Sequence, residues 1–120
     1  MVERILVVDD DEVLRMLVTD TLEFEGYTIE EAEDGLEGYE KIANSQYDVI
    51  ILDYMMPQLT GMEVLDKIQS FSLDVPIIML TAKAQQGDRE MAKRFGANYF
   101  MAKPFSPAEL VALVKQILQR

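Results

Sequence analysis

The sequence predicts an α/β fold in which five parallel strands form one sheet and helices cover both of its faces. Three observations carry that prediction. Five short apolar runs alternate with five longer segments of helical periodicity, the pattern of a repeated βα unit. Three of the runs, Ile5-Leu6-Val7-Val8, Val49-Ile50-Ile51-Leu52 and Ile77-Ile78-Met79-Leu80, are apolar at every position, as strands buried on both faces are. Four of the runs stop abruptly at a polar residue: Asp9-Asp10, Asp53, Thr81 and Lys103.

Taken in order, the first strand is 5–8. A helix is predicted over 12–25, with Val13, Leu14, Leu17, Val18, Thr21 and Leu22 inward and Gly26 closing it. Residues 27–31 form a weaker, alternating run that suits an edge strand. Asp34-Gly35 is a turn, and the next helix spans 36–43 with Ile42 and Ala43 inward. The central strand runs to Asp53, and Pro57 ends regular structure after it. Residues 57–61 are a loop. The helix over 61–70 carries Met62, Val64, Leu65 and Ile68. The fourth strand ends at Thr81-Ala82. A polar helix over 86–95 has a thin apolar stripe of Met91, Ala92 and Phe95, and Gly96-Ala97-Asn98 leads out of it. The fifth strand is 99–102. Ser106-Pro107-Ala108-Glu109 reads as a capping box with proline in the first helical turn. The last helix, to about 118, buries Leu110, Leu113, Val114 and Ile117. Right-handed crossovers and a weak second run favour the doubly wound, flavodoxin-like strand order 2-1-3-4-5.

The chain of 120 residues suits one domain with one core, 1–120. No apolar run approaches the roughly 18 residues of a membrane span. The first residues carry neither a basic leader nor an apolar signal segment, so a cytoplasmic protein is expected. There is no cysteine, which excludes disulfides and thiolate metal sites. There is no histidine, which excludes imidazole acid–base chemistry. Eleven basic against 22 acidic residues give a net charge of -11. That opposes direct nucleic-acid and anionic-membrane binding and permits a divalent cation or a basic protein surface.

In an open parallel sheet, ligands bind outside the carboxyl ends of the strands. Asp9, Asp10, Asp53, Thr81 and Lys103 all fall at that edge. Crowded carboxylates there would repel unless a cation intervened. An all-oxygen donor set suits Mg²⁺ (or Mn²⁺), which takes one or two carboxylates and a phosphate. A hydroxyl and an ammonium beside them can hold phosphoryl oxygens. A carboxylate nucleophile, a metal to neutralise charge and two donors are what phosphoryl transfer requires. Each residue also has a plainer reading: Asp11 as a helix cap, Thr81 as a turn hydroxyl, Lys103 as a solvated lysine. No glycine-rich phosphate loop is present, so no nucleotide or other organic cofactor is expected.

Four motifs carry a resemblance: Val7-Val8-Asp9-Asp10-Asp11, Leu52-Asp53-Tyr54-Met55-Met56-Pro57 with Gly61, Leu80-Thr81-Ala82, and Lys103-Pro104-Phe105. Through them essentially the whole chain resembles the response-regulator receiver domains of two-component signalling, such as the single-domain chemotaxis and sporulation-relay regulators. The resemblance implies that Asp53 is the phosphoacceptor. It implies that Asp10 ligates Mg²⁺ directly, that Asp9 does so mostly through water, and that Met55 contributes its backbone carbonyl. Thr81 and Lys103 would hold the phosphoryl group. Phe100 would be the aromatic of a switch with Thr81 that alters the surface of the fourth helix, fifth strand and fifth helix, although it also reads as a plain core aromatic. A cis bond before Pro104 is implied as well.

The implied partners are a sensor histidine kinase or histidine phosphotransfer protein upstream and a protein target or output domain downstream. The implied state is a monomer or a phosphorylation-dependent homodimer. Thr60 departs from the family, where Asp is frequent before the loop glycine. Met55 and Lys83, each two residues past an active-site residue, would bear on the path of attacking water and suggest an acyl phosphate of intermediate lifetime. Other readings stay open: a phosphohydrolase with an Asp nucleophile, a passive metal-holding scaffold, and a flavin-binding module. Met55 stands where the hydrolase would need its general acid, and no phosphate-cradling loop follows the first strand as a flavin site would need. The chain reads either as a stand-alone regulator or as the receiver of a longer, for example DNA-binding, one.

Overall fold

Five parallel strands form a sheet in the order β2-β1-β3-β4-β5. They are β1 (Arg4–Val8), β2 (Thr28–Ala32), β3 (Val49–Asp53), β4 (Ile77–Thr81) and β5 (Tyr99–Ala102). The helices between and after them are α1 (Glu12–Phe24), α2 (Gly35–Asn44), α3 (Gly61–Ile68) with a 3-10 turn (Gln69–Phe71), α4 (Arg89–Arg94) and α5 (Pro107–Leu118). The computed structural model describes residues 2–71, 73–82 and 89–119. Lys83 and the expected first turn of the fourth helix, 86–88, lie outside the described residues.

The alternation of side chains along each strand divides the interior into two cores. Leu6, Val8, Ile50, Leu52, Ile77 and Met79 face Ile42 of α2, Val64, Leu65 and Ile68 of α3, and Ala92 of α4. Ile5, Val7, Val49, Ile51, Ile78 and Leu80 face Val18 and Leu22 of α1 and Leu110 and Val114 of α5. The central strands are buried at every position, which is why their sequences do not alternate. Each fully buried aliphatic side chain contributes roughly 1.5–3 kcal/mol. The register sets the strand ends level: Val8 lies opposite Leu52, Asp53 opposite Leu80, and Thr81 opposite Ala102. Among the described residues, no helix is long and apolar enough to cross a membrane.

Several sequence expectations are corrected. The inward face of α1 is turned toward Arg15, Val18, Thr19 and Leu22, so Val13 (78% exposed) and Leu17 (45%) lie outside. Val13 and Leu17 fit the helical period as well as the buried row does, so period alone does not separate the two. Ala43 is exposed, and Gly38 of α2 is buried instead. Leu113 and Ile117 are only partly buried, and Met91 is 51% exposed. At α5 the Ser106 side chain accepts from Glu109 N. The reciprocal capping box occurs at α3: Thr60 Oγ1 accepts from Glu63 N, and Glu63 accepts from Thr60 N.

Gly61 marks the tightest approach near the site. A Cβ there would sit 2.4 Å from the Asp53 carbonyl oxygen and 3.0 Å from Tyr54 Cα, both backbone atoms that cannot turn away. Gly61→Ala is therefore expected to lower the unfolding free energy by about 2–3 kcal/mol, measured by urea denaturation. Unchanged stability would show that the 54–61 segment does not close on β3 as described.

Candidate functional site

Asp9 directly follows β1, and Asp53 is the last residue of β3. Both are buried, at 1% and 4% exposure, while Asp10 is exposed. One carboxylate oxygen from each of the three lies within 4.8 Å of the others. Lys103, just past β5, reaches into this group. Its Nζ is 2.9 Å from Asp53 Oδ1 and 3.4 Å from Asp9 Oδ2. Thr81, the last residue of β4, is buried, and its carbonyl accepts from Lys103 N at 2.7 Å. The Lys103–Pro104 peptide is cis. The sheet thus gathers Asp9, Asp10 and Asp53 with Lys103, and joins Thr81 to Lys103 through the backbone.

The three consecutive acids have different local roles. Asp9 Oδ1 accepts from Asp11 N at 2.9 Å, and its carbonyl accepts from Arg15 Nη1 at 2.7 Å. Arg15 also pairs through Nε with Glu31 Oε1 at 2.9 Å, tying α1 to β2 beside the site. Asp11 is the N-cap of α1, accepting from Val13 N and Leu14 N. Asp10 keeps an outward-facing carboxylate beside the other two.

The segment after β3 is held at both ends. Tyr54 N donates to the Leu80 carbonyl at 3.0 Å, and Gly61 N donates to the Tyr54 carbonyl at 2.8 Å. Between them, Leu59 N donates to the Pro57 carbonyl across Gln58, whose φ is 68°. That is a tight turn with a strained centre for a residue bearing a side chain. Met55 is 57% exposed and Met56 is buried.

Burial pushes the Asp53 carboxyl up from 3.8 to about 6, and repulsion from Asp9 and Asp10 adds to it. The Lys103 ammonium acts in the other direction without cancelling the rise. For Lys103, burial alone would favour the neutral amine. The adjoining Asp53 and Asp9 outweigh it and hold the ammonium above its usual range. Above that pH, three carboxylates face one ammonium, which leaves a charge that one divalent cation balances. The donors are oxygens at close quarters, as a hard cation such as Mg²⁺ prefers. The residues present therefore fit a divalent ion.

Phe100 stands apart from the carboxylates. It lies on β5 opposite Met79, two residues before Thr81 along β4, and packs against the first core. The Arg89 guanidinium carbon is 4.7 Å from its ring centroid. Arg15, the Thr60–Glu63 cap and Arg89 were not singled out from the sequence. For Arg15 the signal was available: it lies four residues after the Asp11 cap and three before Val18, on the inward face. Arg89 offers no such spacing, since its partner is 11 positions away on another element.

Comparison with known proteins accords with this geometry. The model of the response regulator receiver domain matches residues 5–115. Response regulator MprA of Mycobacterium sp. (strain KMS) is 42% identical over 117 residues, 98% of this chain and 51% of that protein. The alkaline phosphatase synthesis transcriptional regulatory protein PhoP of Bacillus subtilis is 43% identical over 120 residues, 100% of this chain and 50% of that protein. The chain thus spans about half the length of these curated relatives. The crystal structure of a CheY-like response regulator receiver domain protein from Methanospirillum hungatei superposes with a TM-score of 0.93 at 32% identity, over 99% of this chain and 95% of that one. With five parallel strands in the order 2-1-3-4-5 and a family match over nearly its whole length, this chain belongs to the response regulator receiver domain family of two-component systems.

Proposed function

We propose that residues 1–120 form one receiver domain that takes a phosphoryl group onto Asp53 from a phosphohistidine donor. The observation that carries this reading is the placement of Asp53. The residue is 4% exposed yet bordered by two further carboxylates and, at 2.9 Å, by an ammonium. Packing alone does not favour such a cluster, since unpaired buried charge is costly.

In the proposed reaction an Asp53 carboxylate oxygen attacks phosphorus. The P–N bond of the donor breaks, and the imidazole leaves with the electron pair. Lys103 Nζ and the Thr81 hydroxyl hold phosphoryl oxygens. Hydrolysis reverses the modification: water attacks phosphorus, phosphate departs, and the carboxylate returns. Asp9, Asp10, Asp53 and the Met55 carbonyl would hold Mg²⁺ or Mn²⁺, which supplies charge neutralisation between carboxylate and phosphoryl oxygens when bound. The domain acts on itself in these steps and is not a turnover enzyme. Thr81 and Phe100 form the switch, and a shift between two existing arrangements changes the α4, β5 and α5 surface.

The donor, a sensor histidine kinase or a histidine phosphotransfer protein, would dock beside the carboxylates on α1. Val13, Met16 and Leu17 project there, 78%, 57% and 45% exposed, within two turns of Asp11. An apolar patch of this kind suits a helical partner surface. The length of the curated relatives, one of them a transcriptional regulatory protein, supports the reading as the receiver of a longer regulator with an output domain. A cytoplasmic location, and a monomer that can dimerise on phosphorylation, complete the proposal.

Three outcomes test it. Exposure to a small phosphodonor with Mg²⁺ should add one phosphoryl mass to the parent, none to Asp53→Asn, and none after chelation. No gain with Mg²⁺ binding intact would sink the phosphoacceptor reading. Met16→Glu should leave that uptake unchanged and slow uptake from a phosphorylated histidine phosphotransfer protein by tenfold or more, followed by stopped gel assays. Equal slowing of both would count against α1 as the donor surface.

The third outcome concerns pH. The folded Asp53 pKa, about 6, lies above the ordinary 3.8, so the metal-free protein carries no penalty from this group below about pH 4. Its stability then falls as pH rises through 6. Asp53→Asn should therefore stabilise the metal-free protein at pH 7.5, on the order of 1–3 kcal/mol, with the gain vanishing near pH 4. Mg²⁺ should raise the Tm of the parent more than that of Asp53→Asn. A pH-independent gain in thermal scans would contradict the assignment.

A further inference from the structure

We infer that Arg89 is a positioning residue that sets how readily Phe100 leaves its present place. This rests on the reading of Phe100 as the switch aromatic. Phe100 lies on the edge strand β5 and is only partly buried, so packing alone does not hold its outer face. The Arg89 guanidinium covers the ring at 4.7 Å, within the range of a cation–π contact. Arg89 is exposed in a chain with twice as many acids as bases, yet it forms no ion pair among the described residues. Glu90, the acid next to it, pairs instead with Lys93 at 3.7 Å. The ring is thus the contact that the structure assigns to this guanidinium.

The contact links α4 to the edge strand β5. α4 has six described residues with Ala92 alone buried among them, so it is weakly anchored. Phe100 sits two residues from the level of Thr81, whose displacement would open space for the ring. A ring that moves into that space leaves the guanidinium behind. Arg89 therefore favours the resting placement and opposes the activated one. An exposed cation–π contact corresponds to about a two- to five-fold bias in that equilibrium. Arg89 makes no contact with Asp9, Asp10, Asp53 or Lys103, so divalent-ion affinity should not respond to its loss.

The test uses the whole chain labelled with 4-fluorophenylalanine, the Phe100 resonance being assigned by its absence in Phe100→Leu. Arg89→Gln should shift that resonance in the resting protein. It should also raise the rate of uptake from a small phosphodonor two- to five-fold, with unchanged Mg²⁺ affinity. Arg89→Lys should fall between the two, because it keeps the charge but not the planar stack. In the Phe100→Leu background the rate effect of Arg89→Gln should disappear. An equal rate effect in both backgrounds would mean that Arg89 acts by charge alone and would overturn the inference. So would an unmoved resonance, or a moved resonance with an unchanged rate. Absence of uptake by every variant, parent included, would overturn the phosphoacceptor reading and this inference with it, whereas uptake by the parent without an Arg89 effect overturns this inference alone.

Discussion

Lys103 Nζ lies 2.9 Å from Asp53 and 3.4 Å from Asp9, and without that ammonium the carboxyl end of the sheet would repel itself. The pairing is also mechanical. β5 has four residues, none of them fully buried, and its far end is tied to β4 by the Lys103 N–Thr81 carbonyl bond. The backbone of Lys103 thus secures the last strand while its side chain crosses toward β3 and β1. Removing the ammonium would leave the buried Asp53 and Asp9 carboxylates uncompensated, whereas neutralising Asp53 leaves Lys103 still paired with Asp9. The charge balance of the site and the attachment of the edge strand are therefore one interaction seen from two sides.

The rest of the architecture keeps those charges at fixed separations. Strands buried on both faces cannot slip by one residue without exchanging the two cores, so the ends of β1, β3 and β4 are held level. Arg15 braces Asp9 from α1, and Gly61 lets the 54–61 segment fold back against the Asp53 carbonyl. On the β5 side the support is thinner: α4 buries Ala92, and the partly buried Phe100 meets the guanidinium of Arg89. Bracing contacts are concentrated around the carboxylates and are fewer beside Thr81 and Phe100, a division that the proposed switch would need.

Most of this was legible in the sequence because it depends on period and position. Apolar runs ending in Asp53, Thr81 and Lys103 place those residues on one edge once the strands are parallel, and the weak run over 27–31 could only be an edge. The face of α1 was less legible. Val13, Met16 and Leu17 are as apolar as Val18 and Leu22, and period alone cannot say which row meets the sheet. Arg15 decided the matter, since its side chain is needed at the Asp9 carbonyl and Glu31. An exposed apolar row looks like a core from sequence, whereas an arginine turned inward looks like a surface. The Arg89–Phe100 contact was invisible for a different reason: it joins two elements and follows no periodicity.

The strained balance at Asp53 has a chemical consequence. A carboxyl held near pH 6 by burial and like charge is a group the fold would be more stable without, and neutralising its surroundings relieves that cost. A divalent cation held by Asp9, Asp10 and Asp53 would do so, as Lys103 does through its ammonium. In the proposed reaction a phosphoryl group adds further negative charge at the same point. In that reaction Lys103 would serve phosphoryl oxygens as well as Asp9, reaching both from the end of β5. Because the Lys103 amide is bonded to the Thr81 carbonyl, the proposed switch has a direct route from the ammonium to Thr81, two residues along β4 from the Met79 that faces Phe100. In the proposed switch, charge at Asp53 and the placement of the Phe100 ring would be linked through one lysine, its side chain at Asp53 and its amide at the Thr81 carbonyl.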